Sequence, residues 1–369
     1  MQSIEIDRSK RLKDEARKGH NRWHYDLTPV VEVEEGEEVV LETRDASDGQ
    51  TTWDSTIEDM ATMDRGAVHP LTGPVYVKGA KPGDLLEIEY LDILPQPYGF
   101  TRFTPGRGYL RSLFDETFLA HWEIKDGWAT SPQVPGVRIP GGPFMGTAGV
   151  APSPEQVRSW NQREADLVAR GGEASLPTAD GAVPGGGLAA TEGLRTQPPR
   201  ENCGNADVKQ LTKRSKLLVP VAVEGALYSA GDGHFAQGDG EACITAIEMG
   251  ATVAVRFKVH AGVAAERNIR FPRFSHSDYF LDPVWAVPQQ FIATMGMPIH
   301  DDGTNESGDL NLAAHNALAQ MIDVLQERGF TRQQAYIICS VAVDLKISNL
   351  VDTPNFVVSA FLPEAIFQG

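Results

Sequence analysis

Long apolar runs are missing from this 369-residue chain. No stretch reaches the 18 or so apolar residues that a membrane-spanning helix needs, so the sequence predicts no membrane partner. Cysteine is scarce. Cys203, Cys243 and Cys339 cannot all pair and share no CxxC spacing, which reads as a thiol-reducing, cytoplasmic setting. The opening MQSIEIDRSKRLKDEARKGH lacks the apolar core of a signal peptide. Positive charge is short as well, with 33 Lys and Arg against 50 Asp and Glu, a formal net charge of −17. The cations form no stripe, which argues against nucleic acid, because phosphate binding needs concentrated cationic charge. A net negative field also disfavours a dianionic substrate and leaves a neutral one unaffected. Several catalytic signatures are absent: there is no GxSxG elbow, SxxK, HExxH, GxxxxGK[ST] loop or GxGxxG.

What is present is a globular composition, 41% hydrophobic, enough for one large fold or two closely joined halves. The charged residues 1–20 read as an N-terminal arm. Residues 21–150 read as an N-terminal β-rich half, with strand pairs around Val31–Val33 and Val39–Leu41, and around Pro74–Lys78 and Leu85–Ile93. Residues 95–150, rich in Gly, Pro and aromatics, read as long loops with short strands. A helix is expected over 155–171, followed by a Gly- and Pro-rich mobile excursion to residue 200. Residues 201–369 read as a C-terminal half. In it, Val253, Val255, Phe257 and Val259 alternate with polar or small residues as a half-buried strand does. Ala314, Leu318, Met321, Ile322 and Leu325 fall on one face of a helix that Gly329 ends. Thr331 and Gln334 form a capping box for a second helix, and a last strand spans Asn355–Leu362. The predicted class is α+β, β-rich, with helices gathered late.

Three clusters carry chemistry. The run Gly231-Asp232-Gly233-His234-Phe235-Ala236-Gln237-Gly238-Asp239-Gly240-Glu241 packs carboxylates, an imidazole and an amide among four glycines. That is the donor set of a divalent ion, and equally the composition of a hairpin turn. The run Glu201-Asn202-Cys203-Gly204-Asn205-Ala206-Asp207 offers an amide ligand and a carboxylate, or an Asx turn before a helix. Cys203 is available as a thiol nucleophile or as a small residue of that turn. A third group, His20 and His24 in HNRWH, Asp45, and His69 in VHPLTGP, holds further donors in the N-terminal third. The HxxxH spacing fits a helix, whereas Trp23 and the following DLTP favour entry to a strand. Asp344 in VAVDL stands out as an acid at the end of the apolar second helix.

The string VPVAVEGALYSAGDGHFAQGDGEACITAIEM resembles the central block of acetamidases and formamidases, and the blocks HNRWHYDLTPVVEVEEGEEV, GPVYVKGAKPGDLLEI, PFMGTAGVAP, NCGNADVKQL and AYIICSVAVDLKISNLVDTPNFVVSAFLPEAIF follow the family's order. The resemblance implies jelly-roll-like β-sandwich halves with a smaller α/β portion carrying the C-terminal helical hairpin, and a homo-oligomer. It also implies hydrolysis of a small aliphatic amide or lactam. HNRWH and Arg163–Leu167 look formamidase-like, whereas PFMGTAGVAP looks acetamidase-like, which leaves substrate size open. Residue type and the matching blocks together point to a divalent metal, zinc by its donors, with a second ion such as calcium also considered. The expected ligands are Asp45, His69 and His234, with Asp232 beside them. Asp207 is expected as ligand or base, Glu241 as general acid and base, and Asn205 or Gln237 as holding the amide. The rival readings are an amidase using Cys203 or a carboxylate as nucleophile, and a non-enzymatic β-sandwich binding protein whose GDGH…GDGE run is a metal-stapled turn.

Overall fold

A computed structural model describes residues 2–286, 288 and 290–368. Two large sheets pack face to face, because most of their strands carry apolar side chains toward a shared core. The first has six strands in the order Gln2–Ile4, Glu38–Thr43, Ala251–His260, Leu85–Pro95, Ser215–Pro220 and Arg273–His276. The second has eleven strands, and its centre is Tyr228–His234, flanked by Phe144–Gly149, Glu248–Met249 and Leu71–Val77. The class is therefore α+β and β-rich, as the sequence predicts.

The period-two segment is a strand over Ala251–His260, with Val253, Val255 and Phe257 buried. It lies between Glu38–Thr43 and Leu85–Pro95, so a strand from the C-terminal half completes a sheet of the N-terminal half. The sheets do not follow the division of the chain into halves. The two expected strand pairs are also arranged differently. Val31–Val33 and Leu71–Val77 belong to the eleven-stranded sheet, whereas Glu38–Thr43 and Leu85–Pro95 belong to the other. Each intervening turn is thus a corner between layers, and apolar residues on both sides of it, such as Val77 and Leu86, stay in the core.

Residues 95–150 hold more strand than their composition suggests. Tyr98–Phe103 pairs with Phe118–Lys125, and Phe144–Gly149 sits at the heart of the large sheet. The expected mobile excursion after the helix Pro154–Ala169 is tied down: the buried Arg22 donates to the carbonyls of Thr178 and Asp180 at 2.9 Å, and Val183 N donates to Asn21 Oδ1 at 2.7 Å. The HNRWH segment forms two short strands, Gly19–His20 and Arg22–Trp23, not a helical turn.

A third, three-stranded sheet, Phe291–Gly296, Val357–Pro363 and Asp344–Asn349, carries the helices Leu310–Glu327 and Arg332–Ala342. Ala313, Ala317, Leu318, Met321, Ile322 and Leu325 face the core. Thr331 and Gln334 cap each other's backbone as expected, and Gly329 takes φ +91°. Among the described residues no helix is long and apolar enough to cross a membrane.

Candidate active site

The central strand Tyr228–His234 is buried along its whole length, so its polar residues must find partners inside the protein. Half of the GDGH…GDGE run is thus strand interior, not turn. Its glycines serve close packing: a Cβ on Gly233 would lie 2.9 Å from Met249 O. The second half does turn, with Gly240 at φ +96° and Glu241 at φ +44°.

Register brings the donors together. His234 lies opposite Glu248 on the neighbouring strand, and opposite Phe144 on the other side. His234 Nε2 stands 3.1 Å from Glu248 Oε2, 3.5 Å from Asp232 Oδ1 and 3.9 Å from Glu241 Oε1. His69 Nδ1 lies 3.4 Å from Asp232 Oδ2. Asp207 enters from the loop after Cys203–Asn205, and a Cβ on Gly146 would meet its Oδ1 at 2.7 Å and His234 Nε2 at 2.9 Å. Only glycine at position 146 lets these two groups approach across the strand.

Around them stands a layer of hydrogen bonds. His234 Nδ1 meets Gln237 Oε1 at 2.9 Å, and Gln237 Nε2 donates to Asp207 O at 2.8 Å. The amide orientation fixed by that carbonyl makes Nδ1 the N–H donor and turns Nε2 toward the acids. Asn205 Nδ2 donates to Asp207 Oδ2 at 3.1 Å, while its Oδ1 accepts from the Thr147 hydroxyl. Thr147 Oγ1 also lies 3.0 Å from Asp232 Oδ2.

What the layer leaves open is the informative part. Asp207 Oδ1, Asp232 Oδ1, His234 Nε2 and Glu248 Oε2 are all buried without a hydrogen-bond partner. A buried polar atom left unanswered costs about 1–3 kcal/mol, and these four lie close enough together for one bound group to answer them. Two overlapping triads, Asp207–His234–Glu241 and Asp232–His234–Glu248, place one donor atom from each member within 4.8 Å of the others. Burial and the neighbouring acids Asp232 and Glu248 push the Asp207 carboxyl up to about 8, against the pull of His234. Burial and Asp207 likewise raise Glu241 well above the usual carboxylate range. Asp232 is held low: burial opposes this, but His69 and His234 outweigh it. Burial disfavours the imidazolium of His234, yet Glu248 and Asp232 raise it well above an ordinary histidine. Four carboxyl groups around one imidazole are short of positive charge.

Residues 5–369 match the Acetamidase/Formamidase family. The chain belongs to that family. It is therefore an amidohydrolase. The acetamidase of Mycolicibacterium smegmatis is 35% identical over 362 residues, covering 90% of this chain and 87% of its own. The formamidase of Methylophilus methylotrophus is 33% identical over 384 residues, covering 99% and 93%. The solved gamma lactamase from Delftia acidovorans is 35% identical with a TM-score of 0.94, covering 100% of this chain and 94% of its own.

Not every residue singled out from the sequence reaches the centre of this family member. His234, Asp232, Asp207 and Glu241 converge, and His69 stands at their edge. Asp45 does not join them: its Oδ1 accepts from Ser47 N at 2.7 Å and its Oδ2 from Gly49 N at 3.1 Å, closing its own turn. Asn205 and Gln237, expected to hold the amide, direct their side chains to Asp207, Thr147 and His234. His20 and His24 lie elsewhere, 2.8 Å from Ser229 Oγ and 3.0 Å from Glu192 Oε1. Asp344 pairs with Lys209 and accepts from Asp239 N at 3.2 Å. Glu248 was not anticipated, although an acid inside the apolar run AIEMGATVAV was the signal that could have marked it. Cys203 is buried, and burial pushes its thiol up to about 12, which leaves almost no thiolate.

Proposed function

We propose that the chain hydrolyses the C–N bond of a small aliphatic amide or lactam at the His234 cluster, with a divalent metal, zinc by its donors, held there. The observation that carries the metal is the convergence of four unpartnered buried atoms, one imidazole nitrogen and three carboxylate oxygens. Imidazole with carboxylates is the donor set of zinc or a related borderline ion. His234, Asp232, Glu248 and Asp207 would hold it. The two triads share one imidazole nitrogen, which favours a single ion over two independent sites. When bound, such an ion supplies Lewis acidity toward the amide carbonyl and lowers the pKa of water toward about 7.

The chain's own groups do the rest. Gln237 and Asn205 orient His234 and Asp207, a positioning role in place of the amide-holding one expected from sequence. His69, at the edge of the cluster, steadies Asp232. Glu241 lines the wide cleft of about 840 Å³ and carries a raised carboxyl. It is placed to take a proton from the attacking water and return it to the leaving nitrogen. A linear amide would yield a carboxylate and ammonia, and a lactam would yield the ring-opened amino acid. The free thiols of Cys203, Cys243 and Cys339 support a cytoplasmic setting. The exposed apolar residues Phe291, Met295 and Ile347 on the three-stranded sheet support a homo-oligomer, which light scattering of the purified chain tests.

The test of the reaction is ammonia release from formamide, acetamide and propionamide, with ring opening followed for a bicyclic γ-lactam. Each is assayed before and after a chelator, and after zinc is returned. Turnover abolished by the chelator and restored by zinc is expected. Turnover indifferent to the chelator contradicts the metal assignment, and inertness toward every amide contradicts the substrate class.

A further inference from the structure

Beside the cluster lies a second cavity of about 100 Å³, whose wall carries His69 and Glu248 together with Arg65, Arg102 and Arg107. A single water needs only about a tenth of that space. Glu248 touches His234 and His69 touches Asp232, so the cavity adjoins the reacting centre. Arg107 and Ile244 also line the wide cleft onto which Glu241 opens, so the two spaces share a wall.

The three guanidiniums stand close to one acid of the wall, Glu248, without pairing with it. Among the described residues none of them forms an ion pair. Arg102 Nε is buried with no hydrogen-bond partner, and its Nη1 reaches only Met60 Sδ at 3.8 Å. Burial lowers the pKa of Arg102, and Arg65 and Arg107 add to this, while Glu248 and Asp45 act the other way. Arg107 is depressed by burial and by Arg65. Like charges gathered at one wall repel, and an anion between them relieves the repulsion. The guanidinium fork fits a carboxylate through two parallel hydrogen bonds. Formamide or acetamide has no group to place there. In a chain of net charge −17, three guanidiniums on one wall are a local concentration of positive charge, with Glu248 the acid beside them.

We propose that this cavity is a tail subsite, and that the preferred substrate is an amide whose acyl chain ends in a carboxylate. The amide faces the His234 cluster, and the tail carboxylate faces Arg102 and Arg107. The inference rests on the amidase reading above. In the reaction, the oxygen of water forms the new C–O bond and the C–N bond breaks with its electron pair on nitrogen. Both protons of water end on that nitrogen, so the products are a dicarboxylate and ammonium.

The experiment compares kcat/KM for succinamate and glutaramate with that for neutral amides of matched chain length, using zinc-loaded full-length protein. The anionic amides are expected to be favoured at least tenfold. That ratio is expected to fall at least tenfold in Arg107→Gln, at the exposed rim, and in Arg102→Gln. A native ratio of one or less, or a ratio that both variants leave unmoved, overturns the proposal. If no amide is turned over, the amidase reading fails instead, and calorimetric titration with succinate and acetate still decides the subsite. Succinate held at least tenfold more tightly than acetate, with the difference lost in Arg107→Gln, supports it; equal binding of the two overturns it.

Discussion

Two buried polar clusters in this protein are built from similar residues to opposite ends. Near the N-terminus, Asp48 is buried but complete: its Oδ2 meets Arg11 Nε at 2.8 Å and its Oδ1 accepts from Leu12 N at 2.8 Å. Arg44 beside it pairs with Glu15 and donates to Lys10 O at 2.9 Å. Every charge there is answered by the chain itself. At the centre of the large sheet, Asp207, Asp232, Glu248 and His234 each leave an atom unanswered. A satisfied network holds the arm to the body, whereas the unsatisfied one is where the proposed ion would sit.

The comparison breaks most sharply at His234. Removing the imidazole in His234→Ala is expected to lower kcat/KM by a factor on the order of a thousand or more and to abolish metal retention, if the proposed ion is held there. Ammonia release and metal analysis of the same preparation check it; retained metal with retained turnover would mean that the cluster is structural. Asp48→Ala is the mirror experiment. Breaking a buried pair is expected to cost about 3–5 kcal/mol in denaturant unfolding, with metal content unchanged. A parallel loss of metal would erase the distinction between the two clusters.

His20 supplies a third contrast, a buried imidazole outside the cluster. Burial lowers its pKa to about 4, below the ordinary value near 6.5. The unfolded chain therefore takes up the proton first. The contribution is fully present above pH 6.5 and is lost as pH falls toward 4, about 3 kcal/mol in all. His20→Gln should flatten that part of the stability curve, and an unaltered slope would assign the acid lability elsewhere. The smallest effect is expected at Gln237, whose proposed role is to orient His234. Gln237→Leu should weaken zinc affinity about tenfold to a hundredfold with the fold intact, as read by competition with a chelator. An unchanged affinity would return Gln237 to the amide-holding role.

Much of this contrast was legible in the sequence, for local reasons. The strand Ala251–His260 and the capped helix at Thr331 are encoded by their own spacing and side chains. His234 and Asp232 stood out because polar residues among glycines are conspicuous. Glu248 did not, because its meaning lies in register: only pairing across the sheet sets it opposite His234. Asp45 misled for the converse reason, since an acid of suitable type in a suitable block can close a turn through Ser47 and Gly49. The corners that send Val31–Val33 and Glu38–Thr43 to different sheets were equally hidden, because a turn between strands does not say which layer each strand joins. The overall charge of −17 pointed away from a dianionic substrate, and only tertiary structure places Arg65, Arg102 and Arg107 on one wall.

The most direct test of the central claim is acetamide hydrolysis by chelator-stripped protein before and after one equivalent of zinc. No ammonia is expected from the stripped protein, and turnover is expected to recover on adding zinc. Full turnover by the stripped protein, with no response to zinc, would contradict it.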